Sequence, residues 1–402
     1  MDTMTFICEN GGNTVRACRE SREGNIGLPY PCFVPSITGG FTNLYYWDSF
    51  FMAQGMLRQG QEALVKSTVD DMLCLIDRYG YMPNGNAEGL MGRSQPPFLS
   101  ELVRQLYAIY QDRAWLAGAY IQLKREHSFW MTRCLLSCGL NRYGYEVAEQ
   151  GTDLGLRVAQ RVPGLDYTGW TQEKIAESIM ADAESGWDFS PRCEQQQLDC
   201  AYVDLNAILY GMERNMAAFA QILDNGEAPA WQEAAEKRLH LMRTLLFDGE
   251  VYRDYNEATK QHSPIFSIAS FYPLWAGVAT PEQAASTVKQ LPRLEYPCGL
   301  ATCEAGARRT PYPWDFPNGW APLHYIAVHG LARYDYQTEA KRIAEKYVRA
   351  IDKTFRQTGT LWEKYNVTDG SLNVTDEYEM PPMLGWTAGV YVDFMAYLTE
   401  QQ

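Results

Sequence analysis

Residues 313–334 read Pro-Trp-Asp-Phe-Pro-Asn-Gly-Trp-Ala-Pro-Leu-His-Tyr-Ile-Ala-Val-His-Gly-Leu-Ala-Arg-Tyr. The first eight carry prolines, a glycine and three aromatic rings, the marks of a fixed loop. From Ala321 to Tyr334 the same stretch turns into an apolar helix pattern. This alternation of an aromatic loop and a helix recurs along the chain. From Gln61 to Tyr79, Leu64, Val65, Val69, Met72, Leu73 and Ile76 recur at three- and four-residue spacings, and Gly80 follows as a stop. Leu102, Leu106, Ile109 and Tyr110 repeat the pattern, as do Trp115, Ala119 and Leu123.

Further helices are expected over 50–60, 171–184, 205–223, 231–246, 281–291, 339–355 and 386–398, about a dozen in all. Strand signals are few, and 251–255 is expected as one short strand of a hairpin. Residues 143–169 are the least helical and are expected to form a long loop, a feature that in a compact domain is usually functional or disordered. No Ser/Pro/Gly-rich tract or charge block interrupts the series, so residues 1–402 are expected to form one all-α domain. Helices in concentric layers, with their loops gathered at one end, describe an (α/α)6 toroid. A helical solenoid would need a fixed-period repeat, and the chain shows none.

Composition narrows the function. Of 402 residues, 46% are hydrophobic and 21% charged, which suits a soluble globular protein with a large core. The net charge of −14 argues against nucleic acid or an anionic membrane surface as partner and favours a small neutral substrate. No apolar run approaches membrane-spanning length. Residues Met1 to Asn10 show no secretory pattern, and the ten cysteines include no CxxC pair, so a cytoplasmic protein with reduced thiols is expected. Five histidines without an HExxH arrangement give no metal site, and His324 alone stands near a motif.

Trp-Asp occurs three times: Tyr45-Tyr46-Trp47-Asp48-Ser49, Ser185-Gly186-Trp187-Asp188-Phe189, and Pro313-Trp314-Asp315-Phe316. An indole stacks on the C–H face of a sugar ring, and a short carboxylate accepts hydrogen bonds from hydroxyls or carries protons. The three pairs are therefore expected as walls of one pocket. Asp188 lies between Trp187 and Phe189, and crowding by those rings would desolvate its carboxyl, raise its pKa and hold a proton for donation. The plainer reading is an Asp that caps a turn.

Glu363, in Leu361-Trp362-Glu363-Lys364-Tyr365, is a second candidate carboxylate, although a Glu beside a Lys is more often a solvated ion pair. Glu377 sits in an acidic loop. Asn84, Arg93 and Gln95, in two closely spaced loop segments, are the amide and guanidinium groups that vicinal hydroxyls need.

Taken in order, these blocks resemble the trehalases of glycoside hydrolase family 37, whose clan is shared with family 63. The shared motifs are Tyr-Tyr-Trp-Asp-Ser (45–49), Pro-Asn-Gly-Asn running into Arg-Ser-Gln-Pro-Pro (83–97), Ser-Gly-Trp-Asp (185–188), Trp-Asp-x-Pro-Asn-Gly-Trp-Ala-Pro (314–322), Glu-Lys-Tyr (363–365) and Gly-Trp-Thr-x-Gly-Val (385–390). Val203-Asp204-Leu205-Asn206-Ala207 and Tyr252-Arg253-Asp254-Tyr255 extend the likeness over roughly 36–398. The resemblance implies an (α/α)6 barrel and inverting hydrolysis of an α-glucosidic bond, with Asp188 as general acid and Glu363 as general base. It puts Phe41, Trp47, Asp48, Asn84, Arg93, Gln95 and Trp314 around the glucosyl unit being cleaved, with Gly186 and Glu377 also at the substrate. Sugar and water are the only reactants implied, and no cofactor or metal.

The chain departs from the family on the leaving-group side. Gly39-Gly40-Phe41-Thr42-Asn43-Leu44 lacks the two arginines usual before Tyr-Tyr-Trp-Asp. The usual Arg-Pro-Glu-Ser has only Arg161-Val162-Pro163-Gly164 as a poor counterpart, and Ser371 to Asp376 replaces a Gly-rich lid. Trehalose is the leading expected substrate. Another small α-glycoside, such as glucosylglycerate, mannosylglycerate or a different disaccharide, is the alternative, followed by a non-catalytic sugar-binding protein.

Overall fold

A computed structural model describes residues 1–400 apart from 18, 23, 145, 146, 148–150, 163, 307, 309, 377, 378 and 384. Glu377, one of the expected substrate-binding residues, lies outside the described residues. The first helices are α1 (Thr3–Asn10), α2 (Tyr46–Arg58), α3 (Glu62–Tyr79), α4 (Leu99–Tyr110), α5 (Arg113–Arg133), α6 (Asp153–Ala159) and α7 (Gln172–Glu184). They are followed by α8 (Val203–Leu223), α9 (Ala228–Leu241), α10 (Tyr272–Ala276), α11 (Pro281–Lys289), α12 (Ala321–Arg333), α13 (Gln337–Thr358) and α14 (Gly385–Glu400).

Six of these close a ring: α2 packs on α4, α4 on α8, α8 on α10, α10 on α12, α12 on α14, and α14 returns to α2. Outside it, α3 bridges α2 and α4, α5 spans α4 and α8, α9 backs α8, and α13 lies across α12 and α14. The architecture is an (α/α)6 toroid, and its closure disposes of the solenoid.

Burial explains which helices face which way. Every residue from Ala321 to Val328 in α12 is buried, and so is every residue from Gly385 to Phe394 in α14, as a helix enclosed by others requires. Helix α13 instead buries the stripe Ile343, Ala344, Tyr347, Val348 and Ile351 and exposes Arg349, Lys353 and Arg356. The ring closes through two glycines. A Cβ on Gly55 of α2 would lie 2.6 Å from the carbonyl oxygen of Gly389 in α14, so the helices approach backbone to backbone.

Two members of the layers fall outside the sequence expectation. Helix α1 adds to the outer layer against α13, with Phe6 and Phe355 ring centroids 5.0 Å apart. Helix α10 is five residues long, too short to show a period. The expected loop over 143–169 contains α6, whose Gly155 rests directly on Ala176 of α7, where a Cβ would lie 2.6 Å away. Packing rather than intrinsic propensity forms that short helix. The strand expected at 251–255 is reduced to a single bridge of Tyr252 with Phe247, while Tyr255–Asn256 pairs with Cys200–Ala201 and Gln261–His262.

Candidate active site

A cavity of about 810 Å³ opens at the N-terminal ends of α2, α12 and α14, and the residues expected at the site meet there. Phe41, Trp47, Asp48, Asn84, Arg93, Gln95, Gly186, Asp188, Trp314 and Glu363 all line it.

The three Trp-Asp pairs share a centre but not a role. Trp314 stacks on Trp320 with centroids 3.8 Å apart and planes 6° from parallel, and it lies 5.7 Å from both Trp47 and Trp187. Trp386 stands edge-on to Trp47 and Trp320, at 5.8 Å from each. Trp47, Trp314, Trp320 and Trp386 make one apolar wall, while Trp187 is fully buried in the cluster and does not line the cavity; offset and edge contacts each add about 0.5–1.5 kcal/mol beyond simple burial. Asp48 and Asp188 face the cavity. Asp315 does not; it pairs with Arg308 at 3.2 Å and accepts the Phe316 backbone N–H at 2.8 Å. The expectation of three equivalent walls is corrected in that respect: the third carboxylate is spent on holding its own loop.

Asp188 is placed by backbone that only glycine can supply. Helix α7 ends at Glu184, and Gly186 follows with φ +73°. A Cβ there would lie 2.6 Å from Trp47 Cε2, inside the indole. Glu184 ties the turn to its neighbours, accepting Ser94 N–H at 2.5 Å and Gly144 N–H at 2.6 Å. After the turn, the Arg192 guanidinium lies 4.1 Å from the Trp187 ring centroid and pairs with Asp204 and Asp254, each at 2.8 Å. Asp204 and Asp254 stand in the two motifs to which sequence reasoning gave no role; through Arg192 they anchor the loop that carries Asp188 to α8. Asp188 keeps part of its surface open to the cavity. Burial raises its pKa to about 6, Arg93 and Arg161 pull it down without cancelling the burial, and Glu363 pushes it up.

Glu363 comes from a different part of the fold. Asn318–Trp320 and Lys364–Asn366 pair antiparallel, with Trp320 opposite Lys364, so the tryptophan loop and the Glu363 segment are one piece. Trp386 Nε1 donates to the Glu363 carbonyl at 3.1 Å, and Lys364 Nζ donates to Glu363 Oε2 at 2.9 Å. The pair is not a solvated one: Glu363 and Lys364 are 2% and 1% exposed. Behind the ladder, His324 is structural. Its Nε2 takes the Leu300 N–H at 2.9 Å and its Nδ1 meets the Trp320 carbonyl at 2.8 Å, while burial lowers its pKa to about 4 and leaves it neutral.

The sugar-binding candidates are locked together before any sugar arrives. Trp47 N donates to Gln95 Oε1 at 3.2 Å, Asn84 Nδ2 to the Ser94 carbonyl at 3.2 Å, and Tyr46 N to the Asn84 carbonyl at 3.0 Å. Asp48 is 4% exposed, and burial, reinforced by Glu363 and Asp188, lifts its carboxyl to about 8.

This geometry has known counterparts. The model of the trehalase family matches residues 15–399. The chain belongs to the trehalase family. A periplasmic trehalase of Xanthomonas oryzae is 32% identical over 391 residues, spanning 91% of this chain and 67% of that one. One from Pseudomonas aeruginosa is 32% identical over 402 residues, spanning 92% and 71%. Among solved structures, the neutral trehalase Nth1 of Saccharomyces cerevisiae superposes with a TM-score of 0.77 at 27% identity over 99% of this chain and 80% of that one. A family 63 mannosylglycerate hydrolase from Thermus thermophilus shares the fold, with a TM-score of 0.64 at 18% identity over 98% of this chain and 99% of that one.

These relatives correct one expectation. The bacterial trehalases are named as periplasmic, which overturns the cytoplasmic reading. That reading rested on the absence of a secretory pattern in Met1 to Asn10, and those residues fold as part of the toroid.

Several lining residues of this trehalase-family site escaped sequence reasoning: Tyr45, Leu154, Val158, Arg161, Met180, Trp320 and Trp386. Tyr45, Trp320 and Trp386 were within the quoted motifs, and their aromatic character was the available signal. Arg161, dismissed as a poor counterpart, reaches the cavity because Val158, Val162, Ile179, Met180, Ala183, Phe189 and Tyr312 form a small second core beneath it. Nothing in the local sequence announces that core, which joins four separate segments.

Proposed function

We propose that this chain hydrolyses α,α-trehalose to two glucose molecules with inversion, Asp188 serving as general acid and Glu363 as general base. The observation that carries the reading is that two carboxyls share one cavity in opposite electrostatic settings. Asp188, lifted to about 6 by burial, holds its proton to a higher pH than an ordinary carboxyl. Glu363 is ion-paired with Lys364 and so has a counter-charge at hand. Asp188 protonates the glycosidic oxygen as the bond to the anomeric carbon breaks. Glu363 takes a proton from a water that attacks the opposite face; an inverting pair works with its carboxyls about 6.5–9.5 Å apart, which leaves room for that water. The tryptophan cluster receives the C–H face of the cleaved glucose, and Asp48, Asn84, Arg93 and Gln95 its hydroxyls. One catalytic domain does this work, and a periplasmic setting accords with the bacterial relatives.

Inversion of one anomeric centre of trehalose releases α- and β-glucose in equal amounts at first. Proton NMR in the first minutes of turnover reads the ratio, and α-glucose alone would exclude inversion. Arg161 at the cavity, close enough to act on Asp188, favours a second reading in which the leaving group is anionic, as in glucosylglycerate or mannosylglycerate. Comparing kcat/KM for trehalose and these two glycosides decides between them.

A further inference from the structure

We propose that Lys364 is the positioning residue for Glu363, and that the loop 371–376 supplies the second carboxylate, Asp376, that fixes Lys364 in place. The proposal rests on Glu363 being the base. Lys364 Nζ lies 2.9 Å from Glu363 Oε2, 2.6 Å from Asp376 Oδ1, and 4.8 Å from the Trp320 ring centroid. Burial alone would favour a neutral amine, but Glu363 and Asp376 outweigh it and the pKa of Lys364 is raised.

The delivery of Asp376 is built into the ladder. Asn318 and Asn366 face one another across the two strands, and both turn their side chains to this loop. Asn318 Nδ2 donates to the Thr375 carbonyl at 2.8 Å, and its Oδ1 accepts Thr375 N–H at 3.3 Å. Asn366 Nδ2 donates to the Asn373 carbonyl at 2.9 Å, while its backbone N–H donates to Ser371 at 2.9 Å. A segment held at both strands keeps the carboxylate of Asp376, the residue after Thr375, beside Lys364. Removing the ammonium would take from the buried Glu363 the charge-assisted hydrogen bond at 2.9 Å that fixes its Oε2, and a base no longer held by it loses its aim at the attacking water.

The test is steady-state kinetics of Lys364→Met, Lys364→Arg and Asp376→Asn on trehalose and on α-glucosyl fluoride, whose leaving group needs no proton. Lys364→Met should lose about 100-fold in kcat on both substrates with KM held within about threefold, and Lys364→Arg should recover at least about tenfold of it. Asp376→Asn should lose about three- to tenfold in kcat at constant KM. A folded Lys364→Met with kcat near wild type, or with the loss confined to KM, would overturn the proposal. Should Lys364→Met not fold, Asp376→Asn decides alone: a fall in kcat at constant KM supports the proposal and an unchanged kcat overturns it. Glu363→Gln on α-glucosyl fluoride separates the two readings. Activity there removes the base assignment, whereas an inactive Glu363→Gln beside a fully active Lys364→Met removes the positioning role alone.

Discussion

The turn that carries Asp188 and the ladder that carries Glu363 bring the same functional group to one cavity and prepare it in opposite ways. Around Asp188 the chain supplies aromatic bulk, a glycine turn and cations at a distance, and burial wins, leaving the carboxyl at about 6. Around Glu363 it supplies an ammonium at 2.9 Å, itself balanced by Asp376. Two carboxyls of one chemistry become an acid and a base when their surroundings push them apart. The backbone follows the same division. Asp188 hangs on a positive-φ turn braced by hydrogen bonds from separate segments, whereas Glu363 immediately precedes a hydrogen-bonded strand.

The most damaging way to break the contrast is to remove the turn. Gly186→Ala forces a Cβ into the Trp47 indole at a φ that non-glycine residues rarely adopt. It should cost about 2–4 kcal/mol of stability and about 100-fold in kcat, measured by thermal unfolding and turnover. A gentler change sharpens the contrast. On the proposed assignment kcat/KM of the wild type should fall as pH rises through about 6, because Asp188 then loses the proton it donates. Arg161 draws that pKa down, so Arg161→Ala should carry the alkaline limb to higher pH, by up to about one unit. A limb displaced to lower pH would deny the pull of Arg161 on Asp188. The smallest effect concerns the Asp turned away from the cavity. Asp315→Asn should leave kcat within about threefold of wild type while costing about 1–2 kcal/mol through the loss of the Arg308 pair, read from pH-matched unfolding curves and kinetics.

Much of this was legible in the sequence, for physical reasons that can be named. Long helices such as α3 and α13 announce themselves because one face must be apolar, and the motif residues announce themselves because aromatic rings beside carboxylates are rarely placed together without use. What the sequence hid depends on distance in space. Lys364 looked solvated because adjacency to Glu363 says nothing of burial, and only the ladder with Trp320 puts both under cover. Arg161 looked idle because its support comes from α6, α7 and Tyr312, which no local pattern joins. Helix α10 was too short for a period, and α6 exists only because Gly155 lets it rest on α7.

The contrast between the two carboxyls meets its most direct test in α-glucosyl fluoride set against trehalose, with Asp188→Asn and Glu363→Gln compared to the wild type. A departing fluoride needs no proton, so Asp188→Asn should lose about 10³-fold or more on trehalose and keep most of its activity on the fluoride. Glu363→Gln should lose both, because the attacking water still needs its base. An Asp188→Asn variant equally impaired on both substrates, or a Glu363→Gln variant that cleaves the fluoride at the wild-type rate, would contradict the assignment of acid and base.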